Sequence, residues 1–171
     1  MIWARWLIAA SSLILAGYWI TRLVAARQRG EPYRTLEVGQ AVTCLGMAAM
    51  SSPLGGPLAA ASWQTVFLLL AAWFLISDRD HAHLHRALSA LAMLYMISAA
   101  PHGDHFAGEP WLAGTHTGGA ALPLLGVLAA GYFAFTAAGC TLRLTIGPRT
   151  GTVACELVMA AGTSYLLIDM L

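Results

Sequence analysis

The sequence is short of charge. Only 10% of its 171 residues are charged and 58% are apolar, whereas an ordinary soluble domain carries roughly 25% charged residues. That deficit excludes a soluble globular protein and directs the chain to the lipid bilayer. Lysine is missing altogether: all nine basic residues are arginine, and with eight acidic residues the formal charge is +1. No basic field exists to hold nucleic acid, so none is expected as a partner. Cysteine is scarce, too. Cys44, Cys140 and Cys155 lie in apolar stretches without paired spacing, which argues against a disulfide framework and for buried thiols. A nucleophile motif, a glycine-rich phosphate loop and paired catalytic carboxylates are absent as well, so no enzyme activity is supported and no catalytic residue is assigned.

What the chain does have is apolar runs. A transmembrane helix needs roughly 20 mostly apolar residues, and six runs approach that length: 6–24, 38–51, 62–76, 85–100, 119–142 and 152–171. The expected fold is therefore all-α, a polytopic membrane helix bundle of about six transmembrane helices forming one integral membrane domain over 1–171. The second, third and fourth runs are short and must borrow flanking residues or sit in a thinned bilayer. Arginines accumulate in cytoplasmic loops, and here Arg22, Arg27, Arg29 and Arg34 follow the first run, Arg79 and Arg86 separate the third and fourth, and Arg143 and Arg149 separate the fifth and sixth. Six crossings place these eight on one side and only Arg5 on the other. Both termini and the loops 52–61 and 101–118 are then extracytoplasmic. The first run carries its arginines after the apolar stretch, which favours a retained anchor over a cleaved leader.

A short pattern recurs. Leu15-Ala16-Gly17-Tyr18-Trp19 in the first run resembles Leu70-Ala71-Ala72-Trp73-Phe74 in the third and Ala129-Ala130-Gly131-Tyr132-Phe133 in the fifth. Gly46-Met47-Ala48-Ala49-Met50, Ala92-Met93-Leu94-Tyr95-Met96 and Gly162-Thr163-Ser164-Tyr165-Leu166 align in the even runs. Three repeated helical hairpins in parallel orientation account for both series, as in some transporter folds. Chance recurrence of small and aromatic residues in apolar helices is the competing account.

Polar and soft residues inside spans are the best functional pointers, because hydrocarbon offers them no water. Gly39, Thr43, Met47 and Met50 share one helical face, as do His85, Ser89, Met93 and Met96; Cys155, Met159, Thr163 and Leu166 form the third stripe, with Asp169 and Met170 a turn beyond. Thioether sulfur selects copper(I), and paired methionines on two helices would set the sulfurs of Met47, Met50, Met93 and Met96 at similar depth. Equally, methionine is a flexible core filler, and the spacing of a ligand stripe is also that of a packed one.

The histidines fall into two groups. His81, His83 and His85 enter the fourth span, with His81 and His85 at the i, i+4 spacing of a metal chelate; an interfacial loop in which Asp78 and Asp80 balance Arg79 and Arg86 is the alternative. His102, Asp104, His105, Glu109 and His116 share the loop 101–118 just above the methionines, where they form either an entry for metal or a solvated surface. Glu37, Glu156 and Asp169 sit at or inside span ends. Arg34 is the expected partner of Glu37, and Arg149 or His85 that of Glu156.

The Met-Ala-Ala-Met segment at 47–50, the His-led span with Ala-Met-Leu-Tyr-Met at 92–96 and the Glu-Leu-Val-Met opening at 156–159 resemble an uncharacterised actinobacterial family of small multi-spanning membrane proteins, catalogued only as a domain of unknown function. The resemblance runs from about Thr35 to Leu171. It implies the plasma (inner) membrane and a multi-helix fold, and it brings no activity; Thr163 and Leu166 depart from the methionines of the earlier repeats. The leading expectation is a protein that binds or transfers copper through Met47, Met50, Met93 and Met96, with His102, His105 and His116 as the entry. A structural or assembly subunit of a larger membrane complex is the alternative, with Gly17, Gly46, Gly131, Gly139 and Gly162 permitting close approach of a membrane-protein partner or a second copy. A transporter of a small solute is the third, resting on Thr43, Ser89 and Thr163.

Overall fold

A computed structural model describes residues 2–29, 35–52, 58–77, 81–99, 123–146 and 151–170. Among these residues there are six helices and no strand: α1 (Ile2–Gln28), α2 (Thr35–Ser51), α3 (Ala60–Ser77), α4 (His81–Ala99), α5 (Pro123–Ile146) and α6 (Gly151–Met170). α4 starts at His81 and so takes in the whole histidine run. α5 starts at Pro123, whose fixed φ and missing N–H suit a first helical position. α1, α5 and α6 are long and apolar enough to cross a membrane. α2, α3 and α4 have 17, 18 and 19 residues, roughly 25 to 29 Å at 1.5 Å per residue.

Neighbours in sequence are neighbours in space. α1 packs most extensively on α2, α3 on α4 and α5 on α6, giving three antiparallel hairpins, and sparser contacts of α2 with α4 and α4 with α6 join them. The even helices run parallel and meet in the middle. The odd helices flank them and turn large apolar side chains outward, including Ile14, Leu69, Ile76, Phe135 and Ile146. An apolar surface of that kind is unstable in water and suits lipid. The inner helices see mostly protein, which is why α2 and α4 tolerate more polar residues than a lipid-facing helix would.

The recurring pattern has equivalent burial in every hairpin. Ala16, Ala71 and Ala130 are buried, as are Trp19, Phe74 and Phe133 three residues on. Two glycines of α2 serve as sockets for α3. A Cβ at Gly39 would overlap the ring of Phe74, and one at Gly46 the ring of Phe67. Gly162 likewise lies against the terminal methyl of Met47, and so brings α6 onto α2. Gly17, Gly131 and Gly139, by contrast, have open space beside them, so of the five glycines expected to allow close approach, only Gly46 and Gly162 do so within the bundle.

Ion pairs mark both ends. Near the end where the arginines collect, Arg22 meets Glu37 at 3.0 Å, with its guanidinium 5.4 Å from the Trp19 ring centroid. At the opposite end Arg5 donates to Asp169 at 2.8 Å, joining the start of α1 to the end of α6. Among the described residues Arg22 on the preceding helix is the partner of Glu37; Arg34, its expected partner, lies outside them.

Candidate functional site

The interior is layered because the even helices share a register. Counting from Thr35, His81 and Gly151, the fifth residue on is Gln40, Arg86 and Glu156; the eighth is Thr43, Ser89 and Met159; the twelfth is Met47, Met93 and Thr163; the fifteenth is Met50, Met96 and Leu166. Positions spaced by three and four residues fall on one helical face, so each helix presents these four side chains inward. All but the partly exposed Arg86, Ser89 and Glu156 are buried.

The lowest layer is polar. Arg86 donates to Glu156 at 3.2 Å, with side chains 13% and 30% exposed. Among the described residues Arg86, not His85, is the ion-pair partner of Glu156; Arg149, the other expected partner, lies outside them. His85 instead places Nδ1 2.9 Å from the Tyr132 hydroxyl on α5 and its ring against Phe133. His83 turns its ring edge toward Phe74, since residues two apart on a helix diverge. Nothing is described of the His81 side chain, and no group of three His, Cys, Asp or Glu among the described residues has the closeness to hold a metal. His102, Asp104, His105, Glu109 and His116 all lie outside the described residues.

Above it, three hydroxyls close on their own helices. Thr43 donates to the Gly39 carbonyl at 2.8 Å, Ser89 to that of His85 at 2.9 Å and Thr163 to that of Met159 at 2.8 Å. This i−4 bonding satisfies a hydroxyl without a partner helix. Between the second and third layers the thiol of Cys44 on α2 donates to the thioether of Met159 on α6, with Sγ and Sδ 3.5 Å apart. Cys155 is buried one turn before Met159. The top two layers are sulfur-rich: Met47 and Met50 are each 1% exposed, and Met93 and Met96 0%.

Of the stripes expected on α2, α4 and α6, the members from Thr43, Ser89 and Met159 onward face a shared interior, whereas Gly39 faces Phe74 of α3. Gln40, Cys44 and Arg86 are members of the site that inspection of single helices passes over. Their common depth is the signal that finds them, since Gln40 and Arg86 stand where Glu156 stands in its own helix.

Residues 32–170 match the family described as a domain of unknown function, DUF5134. The chain belongs to the DUF5134 family. The match takes in α2 to α6 and so every residue of the four layers, while α1, with Arg5 and Arg22, precedes it. No curated protein and no solved structure matches the chain.

Proposed function

We propose that this DUF5134 protein is a multi-pass plasma-membrane protein that binds a soft metal ion, copper(I), among the sulfurs of α2, α4 and α6. The supporting observation is the sulfur geometry: Met47, Met50, Met93 and Met96 lie fully inside the bundle at paired depths, and just below them Cys44 and Met159 bring two sulfurs to 3.5 Å. Thioether and thiolate are the donors that favour copper(I) over harder ions. With a metal–sulfur bond of roughly 2.3 Å, sulfurs so spaced subtend roughly 100° at a shared ion, within the range of trigonal and tetrahedral sites. Met47, one turn above Cys44, supplies a further donor, with its methyl against Gly162.

In this reading the arginine-rich end is cytoplasmic and both termini are extracytoplasmic. His102, His105 and His116 then belong to the loop at the opposite mouth, where imidazoles would receive the ion before the thioethers do. Glu37, His85 and Glu156 border the inner end. Titration of the purified, metal-free protein with copper(I) against a chromogenic chelator tests the proposal. Wild type should withdraw copper from the chelator, and a variant with Met47, Met50, Met93 and Met96 all changed to leucine should lose most of that capacity. Equal binding by both would assign the methionines to packing alone.

A second reading, the assembly subunit, is favoured by Gly131 and Gly139, which leave open space on the outer side of α5 where another helix can approach. Mild-detergent purification with mass spectrometry tests it; a chain that runs alone or only with copies of itself would count against it. A solute carrier finds less support, because the polar cavity between the inner helices has room for about 10 Å³.

A further inference from the structure

The polar cavity lies just below the methionine layers and shares Met159 with the sulfur site, so its occupant is tested on the metal-free protein. It lies between the two lower layers, where α2 contributes Gln40 and Thr43, α4 contributes Arg86 and Ser89, and α6 contributes Glu156 and Thr163. Gln40 is 2% exposed and lines the cavity. A polar side chain held this deep calls for hydrogen-bond partners.

The chemistry of the walls identifies the occupant. The hydroxyl protons of Thr43, Ser89 and Thr163 are committed to backbone carbonyls of their own helices, so their oxygens face the cavity as acceptors. Gln40 adds one more acceptor and two N–H donors, and Arg86 has guanidinium protons beyond the one given to Glu156. An occupant must donate to hydroxyl oxygens and accept from N–H groups. The charges nearby, Arg86 and Glu156, cancel; a bare cation would meet the guanidinium, and an anion would find the hydroxyl protons already spent. The room, about 10 Å³, is about that needed by one buried water, which typically makes two to four hydrogen bonds.

We propose that the cavity is a binding site for a single water molecule, held by Gln40 and the hydroxyls of Thr43, Ser89 and Thr163, which ties the three inner helices together. The role is a substantial one in this bundle, because the hairpins touch each other much less than their own two helices do, and polar bridges join helices where hydrocarbon cannot.

Radiolytic hydroxyl labelling read by mass spectrometry reports residues beside ordered internal water. Met159 and Phe133, which line the cavity, should be oxidised several-fold faster than Met93 and Met96, and Gln40→Met should abolish the difference. Thermal unfolding in detergent provides a second measurement. Gln40→Met, similar in size but apolar, should lower the melting temperature by several degrees if it evicts a bound water, and Thr43→Val should do so to a smaller extent. An unchanged or raised melting temperature in Gln40→Met would mean an empty cavity and overturn the proposal, as would labelling of Met159 at the rate of Met93. A rise in wild-type stability specific to sodium over choline, lost in Gln40→Met, would assign the site to a cation and overturn it too.

Discussion

Two glycines with the same apparent crowding should respond oppositely to alanine. At Gly46 the new Cβ would run into the ring of Phe67, which is fully buried and stacked on Trp63 with centroids 5.7 Å apart, so the ring has no free direction of retreat. At Gly162 the obstacle is the terminal methyl of Met47, which swings away by rotation about one thioether bond. In both cases alanine gains about 1 kcal/mol of helix propensity over glycine. Overpacking of a rigid neighbour costs about 2 kcal/mol, leaving Gly46→Ala about 1 kcal/mol less stable, whereas Gly162→Ala should match or exceed wild type. The assay is equilibrium unfolding in mixed micelles, extended to a double-mutant cycle with Phe67→Leu. Coupling of about 1 kcal/mol between positions 46 and 67 is expected, as for residues in direct contact. Equal effects at the two glycines, or no coupling to Phe67, would refute the socket packing of α3 on α2.

The ion pairs should rank by the burial of the carboxylate each leaves behind. Arg5→Met, which strands Asp169 at 5% side-chain exposure, should cost about 3 kcal/mol, whereas Arg86→Met leaves Glu156 30% exposed and should cost about 1 kcal/mol; the reverse order in unfolding measurements would contradict the arrangement. Cys44, Cys140 and Cys155 are all buried, so N-ethylmaleimide should label them only after the protein is unfolded in dodecyl sulfate, and rapid labelling of Cys44 in the folded protein would be incompatible with its seat on Met159. For orientation, Pro32→Cys should resist an impermeant maleimide in intact cells and Gly55→Cys should react; the opposite pattern would invert the bundle.

Much of this architecture is legible in the chain, for a physical reason. Helix number and the inward stripes follow from local periodicity, and the recurring Ala-x-x-aromatic and small-Met-x-x-Met segments carry the hairpin repeat, because equivalent positions such as Ala16, Ala71 and Ala130 meet equivalent neighbours. Ion-pair partners are another matter. Glu156 reaches Arg86, 70 positions away, and Asp169 reaches Arg5, 164 positions away, so the choice depends on helix starts and inter-hairpin packing that no short window contains. Once the helices are known to start at Thr35, His81 and Gly151, Arg86 and Glu156 fall at the same depth and their pairing follows. The glycines teach the same lesson. Gly46 and Gly131 look alike in sequence, and only the face on which each lies makes one a socket and the other open surface.

Whether the sulfurs of the inner helices form a metal site is tested most directly by X-ray absorption at the copper edge of the copper(I)-loaded protein. Sulfur scatterers alone at roughly 2.3 Å, three or four in number and reduced in the Met47, Met50, Met93 and Met96 leucine variant, are the predicted result; a shell of nitrogen or oxygen indifferent to those substitutions would contradict it.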